Sequence, residues 1–317
     1  MDAFEVVGPG LLTTVQDLGR WGWQRYGVPV SGAMDPLALE IGNILVGNDR
    51  GAAGLEAALS GPTLRAVSPL VVAICGASCK ATLDGTPVPG WEAVEIRPGQ
   101  LLALGSISAG VWVYLCVSGG IDVPIVMGSR STFLRGGFGG FEGRALKTGD
   151  ILRCGSLPLA LVAGRSLAQD LKPKAGQQVE VRAVPGPNEQ VFTRESLTTF
   201  FSTPFTVTRE SDRMGYRLDG PPLTVLGATD ILSEGAVTGS VQVPSSGLPI
   251  VLMADRPPTG GYAKIATVIS PDVRRIAQLA PGASMRFRPV TVEEAGQAVI
   301  DHEAMIQRFA ASLRERS

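Results

Sequence analysis

The sequence predicts a mainly β protein, and three observations carry that prediction. Its 40 glycines and 23 prolines make up about a fifth of 317 residues, far more turn-forming residue than a helical bundle uses. Short apolar runs of strand length, bounded by Gly, Pro, Asp or Ser, recur along the whole chain. Only four segments carry helix start and stop signals.

The strand-like runs are Leu70–Ile74, Val111–Val117, Leu159–Val162, Val179–Val184, Phe205–Thr208, Pro249–Met253 and Ala266–Ile269. The uncharged stretch from Leu101 to Ile121 has membrane-spanning length. However, Gly105-Ser106-Ile107-Ser108-Ala109-Gly110 divides it, so it reads as two buried strands, Leu101–Leu104 and Val111–Val117, joined by a turn.

The first helix is expected over Asp35 to Val46, where Asp35 caps, Pro36 takes the first helical position and Gly47-Asn48 ends it. The second runs from Asn188 to about Phe201. The third runs from Ser270, as cap, to Ala280, with Pro271 at its start and Pro281-Gly282 at its exit. The fourth opens on the capping-box pattern Thr291-Val292-Glu293-Glu294. Beyond it, Val292, Ala295, Val299, His302, Ile306, Phe309 and Leu313 fall on one helical face, which makes His302 a packing residue.

Gln169 to Gln178 interrupts the apolar rhythm and reads as a linker. The predicted organisation is therefore a β domain over 1–168, a linker over 169–178, a second β domain over 179–290 and an amphipathic helix over 291–317. Ser31-Gly32-Ala33-Met34-Asp35 and Ser211-Asp212-Arg213-Met214-Gly215 open the two halves in similar terms. Such echoes fit a duplicated β-barrel domain.

Composition removes several function classes. With 28 basic and 29 acidic residues, neither a nucleic-acid binder working by bulk charge nor a polybasic membrane-surface protein is expected. Apolar residues at 44% and charged ones at 18% support a large core and argue against disorder. A single histidine excludes His-ligated metal enzymes and His-dependent Ser or Cys hydrolases, so no metal site is expected. Cys75, Cys79, Cys116 and Cys154 read as buried thiols of a reduced, cytoplasmic protein. The first ten residues carry Asp2 and Glu5 and no long apolar core, so no signal peptide is expected.

No phosphate loop, nucleophile elbow or EF-hand loop is present in the sequence. The Gly-rich segment from Gly128 to Arg144 sets Arg130, Arg135 and Arg144 among Phe133, Phe138 and Phe141. It reads either as an anion site or as a loop packing its phenylalanines onto a barrel. Arg213 and Arg217 lie in the densest polar cluster of the chain and suit a carboxylate or phosphate. Thr259-Gly260-Gly261-Tyr262-Ala263-Lys264 reads as a Gly-Gly turn with hydroxyl, phenol and ammonium groups beside it. Without a catalytic imidazole, Lys264, Tyr262 and carboxylates must carry any proton transfer.

These motifs fall in a recognisable order. Thr14-Val15-Gln16-Asp17-Leu18-Gly19-Arg20, Gly27 through Asp35, Leu45-Val46-Gly47-Asn48 and Leu55-Glu56 come first. Gly119 through Pro124, Gly128 through Thr132, Gly136–Gly140, Ser211 through Gly215, Gln242-Val243-Pro244 and Thr259 through Tyr262 with Lys264 follow. Over roughly residues 5 to 290 the chain resembles the KipA family, the C-type subunits of 5-oxoprolinase, also called allophanate hydrolase subunit 2.

The resemblance implies two cyclophilin-like β-barrel halves within a hydrolase complex that uses ATP to open 5-oxoproline to glutamate. It implies a KipI-type partner, the B-type member of 5-oxoprolinase, and a LamB/YcsF-type protein as the A-type member, acting on a small-molecule substrate. ATP is then used by the complex. The alternative is a biotin-dependent carboxyltransferase component, related to urea carboxylase, with biotin on a separate carrier. A third reading is a regulatory partner of a KipI-type kinase inhibitor. On this chain the candidate catalytic residues are Arg213, Lys264, Tyr262 and Glu234. The candidate substrate- and anion-binding residues are Ser31, Asp35, Arg20, Arg217, Gln242, Thr259, Gly260 and Gly261. Replacing Arg213 or Lys264 by Ala is expected to lower activity far more than stability. Gly235 and Pro258 depart from the family pattern, which usually has proline and threonine there.

Overall fold

A computed structural model of the chain describes residues 1–155, 164–169, 171–173, 176–227 and 230–314. The expected strand Leu159–Val162 lies outside these residues, as do positions 170 and 174–175 of the expected linker. The protein is mainly β, and its contacts group into two compact units. One comprises Met1–Arg20, Ser31–Ala175 and Ile306–Ser317; the other comprises Trp21–Val30 and Gly176–Met305.

The first unit holds two antiparallel sheets. One consists of β1 (Asp2–Gly8), β4 (Thr63–Ala66), β6 (Thr82–Leu83), β7 (Thr86–Pro87), β9 (Leu101–Ala103) and β11 (Ile151–Arg153). The other consists of β2 (Leu12–Gln16), β3 (Gly54–Ala58), β5 (Leu70–Cys79), β8 (Ala93–Ile96) and β10 (Ile107–Val117). Their apolar faces share one core, with Phe4, Val6 and Leu64 from the first sheet and Leu70, Val72, Ile74, Val113 and Leu115 from the second.

The alternate residues of β5 and β10 are buried too, because α1 (Pro36–Leu45) covers the other face of that sheet. A strand covered on both sides reads as a continuous apolar run, which is why Val111–Val117 carries no charge. Asp35 caps α1 as expected, accepting from Ala38 N–H at 3.2 Å, and Pro36 follows it.

Close packing of α1 leaves no room for a side chain at Gly42. A Cβ there would lie 2.6 Å from Cys116 Sγ. Gly42→Ala is therefore expected to destabilise the protein by about 1–3 kcal/mol in urea unfolding, despite alanine's better helix propensity. All four cysteines are free thiols, and Cys75, Cys116 and Cys154 are buried. Burial pushes the Cys116 thiol well up and the Cys79 thiol up to about 11.

The second unit is built on an eight-stranded sheet. Its strands are β12 (Gln178–Pro185), β13 (Phe205–Val207), β14 (Gly215–Asp219), β15 (Asp230–Gly235), β16 (Ser240–Val243), β17 (Ile250–Leu252), β18 (Thr259–Val268) and β19 (Ser284–Pro289). The order is β12-β19-β13-β14-β17-β16-β18-β15. A further pairing of β18 with β12 closes seven strands into a ring and leaves β15 as a flap on the long strand β18. Only β12 and β19 run parallel.

Two helices and the first part of a third belong to this unit. The expected helix from Asn188 starts later, as α2 (Arg194–Ser202), because Asn188 introduces a separate short 3-10 turn and Thr193 supplies the cap through Ser196 N–H. In α3 (Ser270–Ala277), Ser270 is the first helical residue rather than the cap. Ile269 stands at the cap position with no side-chain bond to give. The N-terminal end of α3 is tied down instead by Asp272, which takes Arg182 Nε and Nη2 at 2.9 and 2.8 Å.

The capping box forms as expected at α4 (Val292–Arg314). Thr291 Oγ1 accepts from Glu294 N–H, and Glu294 accepts from Thr291 N–H. Ile306, Phe309 and Leu313 on its stripe are buried, and His302 is half-buried. Among the described residues, no helix is long and apolar enough to cross a membrane.

Candidate active site

The expected site residues divide between the units. Arg20, Ser31 and Asp35 belong to the first, and the other nine belong to the second. In the second unit, five of them meet on one face of the three neighbouring strands β16, β18 and β15.

The meeting is set by register. Glu234 on β15 lies opposite Gly260 on β18, and Gln242 on β16 lies opposite Lys264. Paired residues share a face, and residues two apart along a strand share it too, so Glu234, Gly260, Tyr262, Lys264 and Gln242 point the same way. A bulge between Val241 and Gln242 shifts the β16–β18 register and brings Gln242 opposite Lys264. Thr259 through Tyr262, expected as a Gly-Gly turn, is therefore strand. It is held in the ladder by β15.

Lys264 is 4% exposed, and its ammonium donates to Glu234 Oε1 at 2.5 Å. Its backbone N–H donates to Asn188 Oδ1 at 2.9 Å. The Lys264 ammonium, and to a lesser extent the Asn188 side chain, hold the half-exposed Glu234 carboxyl below the usual glutamate range. Asn188 was not marked by the sequence as a site residue. Its only signal was a position beside Gly186-Pro187, which reads as a helix start.

Gln242 is 5% exposed, and among the described residues its Nε2 has no hydrogen-bond partner. A Cβ built on Gly260 would stand 2.4 Å from that nitrogen, so only glycine leaves space for the amide. A buried amide donor with nothing to bond costs on the order of 1–3 kcal/mol and marks a place where a ligand acceptor would be welcome. Gly260→Ala is expected to displace this amide and lower kcat/KM by on the order of 100-fold while leaving the melting temperature almost unchanged. Steady-state kinetics and a thermal melt on the same preparation check both halves of that expectation.

The other expected residues have different roles. Arg213 is buried, and its Nε and Nη2 grip Asp255 at 2.8 and 3.0 Å. Its fork is engaged by Asp255 in the folded chain. Arg217 is exposed on β14, three strands from β18 in the ring, and does not join the cluster. Arg20 is wholly buried. It donates to the Ser131 carbonyl and stacks 5.0 Å from the centre of the Phe138 ring, so it fastens the Gly-rich loop. Asp35 is a helix cap whose N–H donates to the Tyr114 hydroxyl, which in turn donates to Glu56. Ser31 is buried in a left-handed conformation (φ 56°) with its hydroxyl unpartnered. Of the loop's arginines, Arg144 is held by Asp150 and Glu142, and Phe141 packs on the core.

The closed ring of strands and the motif residues on it define a class of protein. The chain belongs to the family described as carboxyltransferase domain, subdomain A and B, which matches residues 26–289. Among its members, the chain is similar to the 5-oxoprolinase C subunit of Escherichia coli, with 40% identity over 99% of each chain. The corresponding protein of Haemophilus influenzae is 38% identical over 96% of each. The crystal structure of the K. lactis urea amidolyase superposes with a TM-score of 0.92 and 32% identity. That match covers 97% of this chain and 20% of the larger protein.

Proposed function

We propose that this chain is the C-type member of a 5-oxoprolinase, which opens the lactam of 5-oxoproline to glutamate at the expense of ATP. Two things support the reading. Similarity to the Escherichia coli 5-oxoprolinase component runs over the whole chain. The observation that carries it chemically is the Lys264–Glu234 pair beside the unspent amide of Gln242.

A lactam is a cis amide, so its N–H and C=O edges face the same way. An acceptor next to a donor reads that edge. Glu234, kept ionised by Lys264, accepts from the lactam N–H. Lys264 Nζ, which gives one of its three N–H bonds to Glu234, and Gln242 Nε2 donate to the carbonyl oxygen. As that oxygen gains negative charge, a buried ammonium stabilises it far better than water would. Tyr262 projects from the same face of β18 at the rim.

The two motif cations, Arg213 and Lys264, fit a triphosphate poorly. Arg213 and Lys264 already face carboxylates, which would repel phosphate. We therefore assign nucleotide binding to the other members of a cytoplasmic complex, a KipI-type protein (B-type) and a LamB/YcsF-type protein (A-type).

The test is reconstitution with the A-type and B-type proteins, 5-oxoproline and ATP. Glutamate release that is lost with Lys264→Met supports the reading. Urea shows the same N–H and C=O edge, and the urea amidolyase structure is closely similar. A complex that releases no glutamate but carboxylates urea from a biotin carrier would replace the reading by that one. Tight partner binding with neither activity would leave a regulatory protein.

A further inference from the structure

The second unit contains a cavity of about 830 Å³ that neither Lys264 nor Glu234 lines. Its walls are largely apolar, formed by Trp21, Val184, Ala236, Val237, Ile269 and Val299, with Arg256 also bordering it. Both positions at which the chain departs from the family pattern, Gly235 and Pro258, line it as well. We infer that this cavity is a binding site for a small organic carboxylate with an apolar body, anchored on the guanidinium of Arg256.

The argument rests on an imbalance of charge. Arg256 is 3% exposed, and it donates only to two backbone carbonyls, Ala236 at 3.2 Å and Met253 at 3.5 Å. Among the described residues, no carboxylate pairs with it. The other well-buried cations of this unit each have one: Arg213 has Asp255, and Lys264 has Glu234. Asp255, the sequence neighbour of Arg256, is spent on Arg213. A buried ion without a counter-ion is costly, and proteins pair such ions or bind a ligand with them. Burial depresses the guanidinium pKa to about 10.

The nature of the ligand follows from the walls and the charge. A planar guanidinium with unspent donors matches a carboxylate in a two-bond fork. A phosphate monoester carries close to two charges and calls for more than the single cation lining this cavity. The volume is that of ordinary small-molecule pockets, and apolar walls favour a hydrocarbon or aromatic body. The site is separate from the lactam-reading cluster. It adjoins that cluster through Gly235, next to Glu234 on β15, and through the chain Asp255-Arg256-Pro257-Pro258, which leads into β18.

The experiment uses the full chain alone and does not depend on the proposed activity. Benzoate and hexanoate are titrated by calorimetry and by thermal shift, with benzyl alcohol and hexanol as uncharged controls. The carboxylates are expected to bind saturably, with Kd of about 0.1–1 mM, and to raise the melting temperature, whereas the alcohols are not. Arg256→Met is expected to fold at least as well as the parent, since it removes an unpaired buried charge, and to bind at least about tenfold more weakly. Val237→Asp provides a second variant at an exposed wall position. It places a carboxylate in the cavity and is expected to abolish binding in a folded protein. No saturable binding of either acid overturns the inference. So does binding that Arg256→Met and Val237→Asp leave intact, or equal binding of acids and alcohols.

Discussion

In the reconstituted complex, Lys264→Met is expected to lower kcat by about 100- to 1,000-fold, the loss seen when one preorganised donor to a developing oxyanion is removed. The protein is expected to stay folded. Lys264 is buried, but its partner Glu234 is half-exposed, so the freed carboxylate returns to water at little cost. Glu234→Gln keeps the shape and an acceptor oxygen but loses the charge and the capacity to take a proton, and a fall of about 100-fold or more is expected if that carboxylate takes the lactam proton.

The pH dependence has a definite sign. Glu234 has its folded-state pKa lowered by Lys264, so the pair's contribution to stability is present above the ordinary glutamate pKa of about 4.3. It is lost as pH falls through the lowered value. The small difference in melting temperature between the parent and Lys264→Met should therefore be visible at pH 7 and close in acid. An unchanged kcat in Lys264→Met would remove this lysine from the chemistry.

Much of the fold was legible because local rules acted alone. Asp35-Pro36 and the Thr291–Glu294 box mark helix starts through bonds to residues three positions away, and both form as the pattern implies. Short bounded apolar runs become strands because both faces of β5 and β10 are covered. The site was legible only in part. Glu234, Lys264 and Gln242 were found through family motifs, but their meeting depends on strand register and a bulge, which no motif encodes. Asn188 and Arg256 carried no signal of their own. The first looked like a helix start, and the second was one charge beside a proline pair. Arg256 stands out only once its buried environment is seen to lack a carboxylate.

Arg213 looks different in sequence and in structure for the same physical reason, and its ion pair carries the largest expected loss of stability. A guanidinium in a polar stretch reads as a hand held out to a ligand. In the folded chain it closes on Asp255, 42 residues away, with both side chains 7% exposed. The backbone adds a third tie, as Asp255 N–H donates to the Arg213 carbonyl at 2.8 Å. Arg213→Ala leaves Asp255 buried and uncompensated, and a loss of about 3–5 kcal/mol in urea unfolding is expected. Replacing both partners together, Arg213→Met with Asp255→Leu, removes the stranded charge and is expected to recover most of that loss. Kinetics separate the two readings of this arginine. Arg213→Ala, assayed cold where it remains folded, should turn over nearly as the parent does, because its guanidinium is engaged by Asp255. A variant that melts like the parent yet loses turnover would return Arg213 to the substrate.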